Sequence, residues 1–181
     1  MLKRVSLKTK KEDIVDYWFT KIDESDFSVD ASEALERCWR CGYKRKLQRC
    51  HIIPDSLGGK DEPSNYVLLC ERCHIDNPNV NDTEIMWDWL KAYKVSIYDT
   101  FWSIQGIQEY KRIYGKSINE EFIERNVKEE DIGVFKNMLK SELDKTSWHY
   151  GHPYLNVATI AALYRMTLKK WDELMRSKVN L

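Results

Sequence analysis

Two pairs of cysteines constrain this sequence more than any other feature. Two residues separate the members of each pair, Cys38 and Cys41, then Cys70 and Cys73, and 28 residues lie between the pairs. Four thiolates at this spacing can surround one Zn²⁺ ion tetrahedrally, with each sulfur about 2.3 Å from the metal. A thioredoxin-like redox motif would need a strand–helix–strand context, which this sequence lacks. We therefore predict a structural zinc site.

The alternative for the four cysteines is two buried pairs without a metal. Buried thiols prefer apolar neighbours, whereas these stand among the charged residues Arg37, Arg40, Glu71 and Arg72. The surrounding segment also has too few apolar residues to form a core of its own, a deficit that a bound metal can offset. Both points favour zinc.

The fifth cysteine, Cys50, makes the count odd, which favours metal binding in a reducing cytosol over disulfides. We therefore expect a cytoplasmic location. No apolar run approaches eighteen residues, so no membrane span is predicted. The basic N-terminal segment is not followed by an apolar stretch, so we expect no secretory signal.

The chain has no net charge, but its charged residues are unevenly distributed along the sequence. The 29 basic residues equal the 29 acidic ones, and 43% of the residues are hydrophobic, as in a globular protein. Between positions 37 and 60, however, seven basic residues face a single acidic one, Asp55. Such a segment can attract a polyanion, although a solvated basic hairpin would have the same composition.

Hydrophobic periodicity divides the chain into three predicted regions: helical residues 1–36, a turn-rich segment 37–82, and helical residues 83–181. The runs LQRCHII and YVLLC in the middle region predict two short strands joined by a long loop. Six stretches predict helices: EDIVDYWFTKI, SVDASEALERC, DTEIMWDWLKAY, SINEEFIERN, EEDIGVFKNMLKSEL and NVATIAALYRMTLKKWDELM. Ser117 with Glu120 forms a capping box, and Asn156 is expected to cap the last helix.

The segment between the cysteine pairs contains a second pattern. CHIIP at 50–54 is followed by GG at 58–59, then Asn65, then LLCERCH at 68–74. In residue identity, order and spacing, residues 37–80 resemble a zinc-stapled HNH endonuclease. The resemblance implies an α+β fold: a ββα-metal core with structural zinc, set among mainly α-helical flanking regions.

The resemblance also implies metal-dependent hydrolysis of DNA phosphodiesters, with Mg²⁺ or Mn²⁺ as the catalytic cation. His51 would be the general base that activates water, since a neutral imidazole titrates near working pH. Asn65 would tie the loop down and orient His51, and His74 would hold the cation. Taken singly, each residue has a structural explanation: a hydrogen-bonded histidine, a turn asparagine and, for His74, an alternative zinc ligand.

Two departures from the family pattern affect the cation site. Many members have Asp or His before the base histidine, as a metal ligand, whereas this chain has Cys50, which either ligates the cation or faces the core. The family often supplies another ligand one helical turn after His74, where this chain has Pro78. Asn77 and its neighbours Asp76 and Asn79 are the remaining candidates for that ligand.

The expected partner is DNA, and the resemblance is to enzymes of bacterial or phage type. Five basic residues are predicted to contact phosphates: Lys44, Arg45, Lys46, Arg49 and Lys60. A homodimer or a larger assembly would be one source of sequence selectivity. His149 and His152 are expected to pack in a loop. Two other functions stay open: a zinc-stabilised nucleic-acid-binding protein with a degenerate site, and an assembly protein that uses the zinc hairpin for contact.

Overall fold

A computed structural model describes residues 8–147 and 154–179. The chain divides into two compact units, Met1–Phe101 and Trp102–Leu181. His149 and His152 lie outside the described residues. No helix in the described ranges is both long and apolar enough to cross a membrane.

The first unit is built on one β-hairpin. Strand β1 (Leu47–His51) pairs antiparallel with β2 (Tyr66–Cys70), in a register that places Leu47 opposite Cys70 and His51 opposite Tyr66. Both strands were predicted from their apolar runs, and both are confirmed. Every residue of β2 is buried, because helix α1 (Lys11–Trp18) and the helix that follows β2 both contact this strand.

Helix α2 (Glu71–Ile75) follows β2 without a loop, which completes the predicted ββα arrangement. Helix α3 (Thr83–Ala92) comes next and buries Met86 and Leu90. Its apolar side chains are only partly buried, since Ile85 is 42% exposed. The hairpin, α2 and the flanking helices together form an α+β unit, as expected.

The prediction of a helix in SVDASEALERC is wrong, because residues 31–36 form turns. The Asp30 side chain accepts hydrogen bonds from the Ser32 hydroxyl and the Glu33 backbone N–H. Short polar side chains that bond to nearby backbone groups in this way compete with helix formation. Helix α1 is also shorter than predicted, and Ile22 lies beyond its end at Trp18.

Among the described residues of the second unit, helices are the only regular secondary structure. It contains α4 (Phe101–Tyr114), whose first residue belongs to the first unit, then α5 (Ile118–Glu124), α6 (Ile132–Leu143) and α7 (Val157–Val179). Their core residues are Tyr110, Ile118, Phe135, Ala161, Leu168 and Trp171. The predicted caps are confirmed, since the Ser117 hydroxyl accepts from Glu120 N–H and the Asn156 side chain from Thr159 N–H.

Helix α4 was not predicted. Its sequence, FWSIQGIQEYKRIY, mixes aromatic and β-branched residues with Gly106, and an interior glycine lowers helix stability by about 1 kcal/mol. Burial of Trp102 and Tyr110 compensates for this weak local propensity.

Candidate active site

The four paired cysteines come together beside the hairpin. Cys38 and Cys41 lie in the loop before β1, Cys70 ends β2, and Cys73 lies in α2. All four side chains are buried, and their sulfur atoms lie within 4.8 Å of one another, with 4.0 Å between those of Cys41 and Cys70. Tetrahedral coordination at 2.3 Å requires sulfur atoms about 3.8 Å apart. The cluster is therefore placed to hold zinc, and His74 is not part of it.

The four sulfur atoms are close enough for each thiol to perturb the others. Hydrogen bonding to Cys38 raises the pKa of Cys41 and that of Cys73, whereas it lowers the pKa of Cys70. Four adjacent thiolates would repel one another, and a bound cation offsets that repulsion. This chemistry agrees with a structural Zn²⁺ site.

Arg40, between the first two cysteines, is buried with a relative exposure of only 6%. Its guanidinium group stacks over Trp89 and Tyr93, with 4.3 and 4.4 Å to the ring centroids, and donates to Asp76 at 3.1 Å. This buried arginine therefore links the first cysteine pair to α3 and to the residue after α2. The Asp76 carboxylate is already engaged by this ion pair.

His51 is the last residue of β1 and lies opposite Tyr66. The two rings pack with their centroids 4.6 Å apart. The Tyr66 hydroxyl donates to Asp61, whose carboxylate also accepts the backbone N–H of Lys8. Burial lowers the pKa of His51, while the nearby carboxylates of Asp55 and Asp61 act in the opposite direction. The imidazole is therefore neutral at pH 7, the form that a general base requires.

Asn65 closes the loop between the strands. Its side-chain oxygen accepts from Ile53 N–H at 2.9 Å, and its amide nitrogen donates to the carbonyls of Ile53 and Lys60, both at 3.0 Å. Its backbone carbonyl also accepts from Ile52 N–H. One buried asparagine thus fixes the chain immediately after His51.

Gly59 makes this closure sterically feasible. A Cβ atom at this position would lie 1.8 Å from the Ile53 carbonyl oxygen and 2.7 Å from the Asn65 side-chain nitrogen. The preceding Gly58 has φ = +91°, a left-handed conformation that favours glycine. Both glycines therefore serve the sharp turn of the loop that Asn65 closes.

His74 lies in α2, and its Nδ1 is 2.6 Å from the side-chain oxygen of Gln48. Gln48 is on β1, three residues before His51. Burial and then the charge of His51 lower the pKa of His74, so the two histidines are close enough to interact electrostatically. The hairpin and α2 therefore bring His51 and His74 near each other, and Asn65 holds the chain immediately after His51.

The other predicted cation ligands are less suitably placed. Cys50 is fully buried, and burial raises its pKa to about 12, so it presents a neutral thiol. A neutral sulfur is a poor ligand for Mg²⁺ or Mn²⁺. Asn77 is also buried, and its side-chain nitrogen donates to the Pro78 carbonyl. His74 is therefore the best-placed nitrogen ligand of the predicted set.

The five predicted phosphate-contacting residues differ in their surroundings. Lys46 and Lys60 are exposed, whereas Lys44 pairs with Glu36. The Arg45 guanidinium lies 5.7 Å from the centre of the Tyr43 ring. The half-buried Arg49 donates to the backbone carbonyl of Thr9. Lys44, Lys46 and Lys60 are thus the exposed members of the group, and among the described residues Lys46 and Lys60 form no ion pair.

Three residues that surround the histidines are not predicted by the sequence motif: Gln48, Asp61 and Tyr66. The hairpin register could have located Tyr66, since pairing Leu47 with Cys70 places it opposite His51. A residue facing α2 from β1 could also have been inferred from strand alternation. No sequence signal pointed to Asp61, because its contact with Lys8 spans 53 residues.

Comparison with known proteins identifies the class of this segment. Residues 36–79 match the model of the HNH endonuclease family. The segment's β-hairpin, short helix and four-cysteine cluster fit the ββα-metal fold of an HNH domain, as the resemblance predicted. No curated protein and no solved structure matches the chain.

Proposed function

We propose that this protein is a metal-dependent endonuclease that hydrolyses DNA phosphodiester bonds. The observation that carries the proposal is the placement of His51 and His74 in one unit of hairpin and helix, where His74 contacts the same strand that ends in His51. The match of this segment to a nuclease family supports the same conclusion.

Each residue has a defined task in this proposal. His51 takes a proton from the attacking water molecule, because its imidazole is neutral and half-buried at the end of β1. Asn65 keeps the following loop in place, which restricts the position of His51. His74 offers its Nε2 as a ligand, since Nδ1 is engaged by Gln48.

A divalent cation bound at His74 would supply positive charge to the scissile phosphate and the leaving oxygen. Among the described residues, only the four cysteines form a group of three or more possible metal ligands, and the carboxylate of Asp76 already pairs with Arg40. Oxygen atoms of the DNA phosphate and of water are suitable further ligands for Mg²⁺ or Mn²⁺. We therefore propose that substrate completes the cation site.

The test is cleavage of supercoiled plasmid DNA in the presence of Mg²⁺ or Mn²⁺. We expect nicked or linear products from the wild-type protein and none from His51→Ala, with one zinc per chain in both. Gln108→Ala, an exposed change on α4, is the matched control and should cleave normally. Cleavage by His51→Ala at the wild-type rate would contradict the proposal.

A second candidate function is a zinc-stabilised nucleic-acid-binding protein with a degenerate HNH site. The specific observation in its favour is the buried neutral thiol of Cys50 where many family members have a metal ligand. DNA binding at low salt without cleavage in any divalent metal would establish this alternative. The absence of both would favour the assembly protein.

A further inference from the structure

We propose that Gln48 is a positioning residue that holds His74 in the tautomer required to bind the catalytic cation. The inference rests on the proposed nuclease function and extends it to a residue outside the predicted site. Gln48 lies on β1 and pairs with Leu69 of β2, so its location is fixed by the hairpin register.

The Gln48 side-chain oxygen lies 2.6 Å from Nδ1 of His74. A carbonyl oxygen only accepts hydrogen bonds, so Nδ1 must carry the proton. In a neutral imidazole the proton on one nitrogen leaves a lone pair on the other. Gln48 therefore directs the lone pair of His74 to Nε2, away from the strand.

The contact also restricts how the imidazole ring can rotate. Both residues are half-buried, and they join strand β1 to helix α2 across 26 positions of the chain. Histidines that bind metals usually donate their other ring N–H to an oxygen acceptor, and loss of that acceptor typically weakens metal affinity 10–100-fold. Gln48 occupies this role for His74.

The reverse orientation of the Gln48 amide would have the opposite consequence. With its NH₂ group toward His74, Nδ1 would accept the hydrogen bond and Nε2 would carry the proton. Nε2 could then bind no cation. Which nitrogen of His74 carries the proton therefore distinguishes the two orientations of the Gln48 amide.

Two substitutions that keep a side chain of similar length test the positioning role of Gln48. Gln48→Met keeps an unbranched side chain but removes the acceptor, whereas Gln48→Glu retains an oxygen acceptor. Nitrogen-15 NMR of the zinc-loaded protein above pH 7.5 (roughly one unit above the usual histidine pKa) reports the tautomer without any catalytic cation. His74→Gln identifies the His74 signals by their loss.

We expect protonated Nδ1 in the wild type and in Gln48→Glu, and protonated Nε2 in Gln48→Met. The Mn²⁺ dissociation constant should rise about 10-fold in Gln48→Met and not in Gln48→Glu. Zinc content, unchanged at one per chain, shows that the fold is retained.

A wild-type His74 protonated on Nε2 would overturn the inference, even if the variants failed to fold. Unchanged tautomer and Mn²⁺ affinity in a folded Gln48→Met protein would overturn it as well. Because neither readout depends on cleavage, an inactive protein with the expected tautomers and Mn²⁺ affinities would refute the nuclease proposal but leave the positioning role intact.

Discussion

At the scale of single residues, the loop after His51 depends on a matched pair, Asn65 and Gly59. Asn65 supplies the hydrogen bonds that hold the loop, and Gly59 leaves the space in which they form. Neither residue touches the proposed cation ligand His74 in the described contacts. Their contribution to the site is the position of the backbone that follows the proposed base.

Gly59→Ala should destabilise the protein. The added Cβ would overlap the Ile53 carbonyl oxygen, so the loop must shift and weaken the Asn65 contacts, at a cost of about 2–3 kcal/mol. Gly133→Ala is the matched control, since no atom lies within 4 Å of its Cβ position in α6. Gly133→Ala should stabilise the protein by about 0.5–1 kcal/mol, because alanine favours the helix more than glycine does. Thermal unfolding of both zinc-loaded variants measures the difference, and equal midpoints would contradict this account.

At the scale of elements, the hairpin and α2 form a small module that the four-cysteine cluster holds together. The cluster joins the loop before β1 to the end of β2 and to α2. Metal binding to such modules contributes directly to folding free energy. The module should therefore lose structure without zinc.

Cys73→Ala should abolish stoichiometric zinc binding, because three thiolates leave one tetrahedral position without a protein ligand. Cys50→Ala is the matched control: Cys50 is equally buried but lies outside the cluster. It should keep one zinc per chain. Zinc released from purified, denatured protein can be measured with a chromogenic chelator. Full zinc content in Cys73→Ala, or its loss in Cys50→Ala, would refute the assignment of ligands.

In the basic segment around β1, we expect the exposed Lys46 to contact a DNA phosphate. Lys46→Ala should weaken binding and reduce the slope of log affinity against log salt by about 0.9, as expected for one lost phosphate contact. Lys136→Ala removes an equally exposed charge from α6 and should leave the slope unchanged. Fluorescence anisotropy over a salt series measures both. Identical slopes for the two variants would show that Lys46 does not contact phosphate.

The elements differ in how well the sequence predicted them. β1 and β2 were predictable, since short apolar runs determine them locally, whereas α2 was expected only from the resemblance to the HNH family. Residues 31–36 were not predictable, because side-chain contacts of Asp30 replace a helix by turns. Helix α4 was missed, since burial rather than local propensity stabilises it.

At the scale of the whole molecule, each of the two units has its own means of stabilisation. The second unit has an aromatic core and a buried carboxylate, Glu121, which accepts from the Tyr110 hydroxyl at 2.6 Å and pairs with Arg125 and Arg165. Burial alone would raise the pKa of Glu121, but the hydrogen bonds from Tyr110 and Arg125 outweigh it and lower the pKa.

A lowered carboxylate pKa makes stability depend on pH in one direction. Glu121 stabilises the fold fully above its unfolded pKa near 4.5, and this contribution is lost as pH falls through the lower folded value. Glu121→Gln should therefore lower the free energy of unfolding by about 2 kcal/mol at pH 7. This stability gap between wild type and variant should narrow below pH 4.5. Thermal midpoints over a pH series measure the gap, with exposed Glu130→Gln as the control. A gap that stays constant would contradict the electrostatic explanation.

The residues of the site also differ in whether the sequence could predict them. The motif from His51 to His74 was visible in the sequence, because identity and spacing carry it. Gln48 and Asp61 were not, since their contacts with His74 and Lys8 join positions that only the folded chain brings together. The roles assigned to His51, Asn65 and His74 remain proposals.

We propose that His51 acts on the attacking water while the cation is held separately. This division of roles is tested by the single-turnover cleavage rate of a DNA duplex, measured over a range of Mn²⁺ concentrations for wild type and His51→Ala. We predict a rate lower by about 10²–10⁴-fold in the variant, at an unchanged half-saturating Mn²⁺ concentration. Equal rates in the two proteins, or a loss that excess Mn²⁺ restores, would contradict the claim.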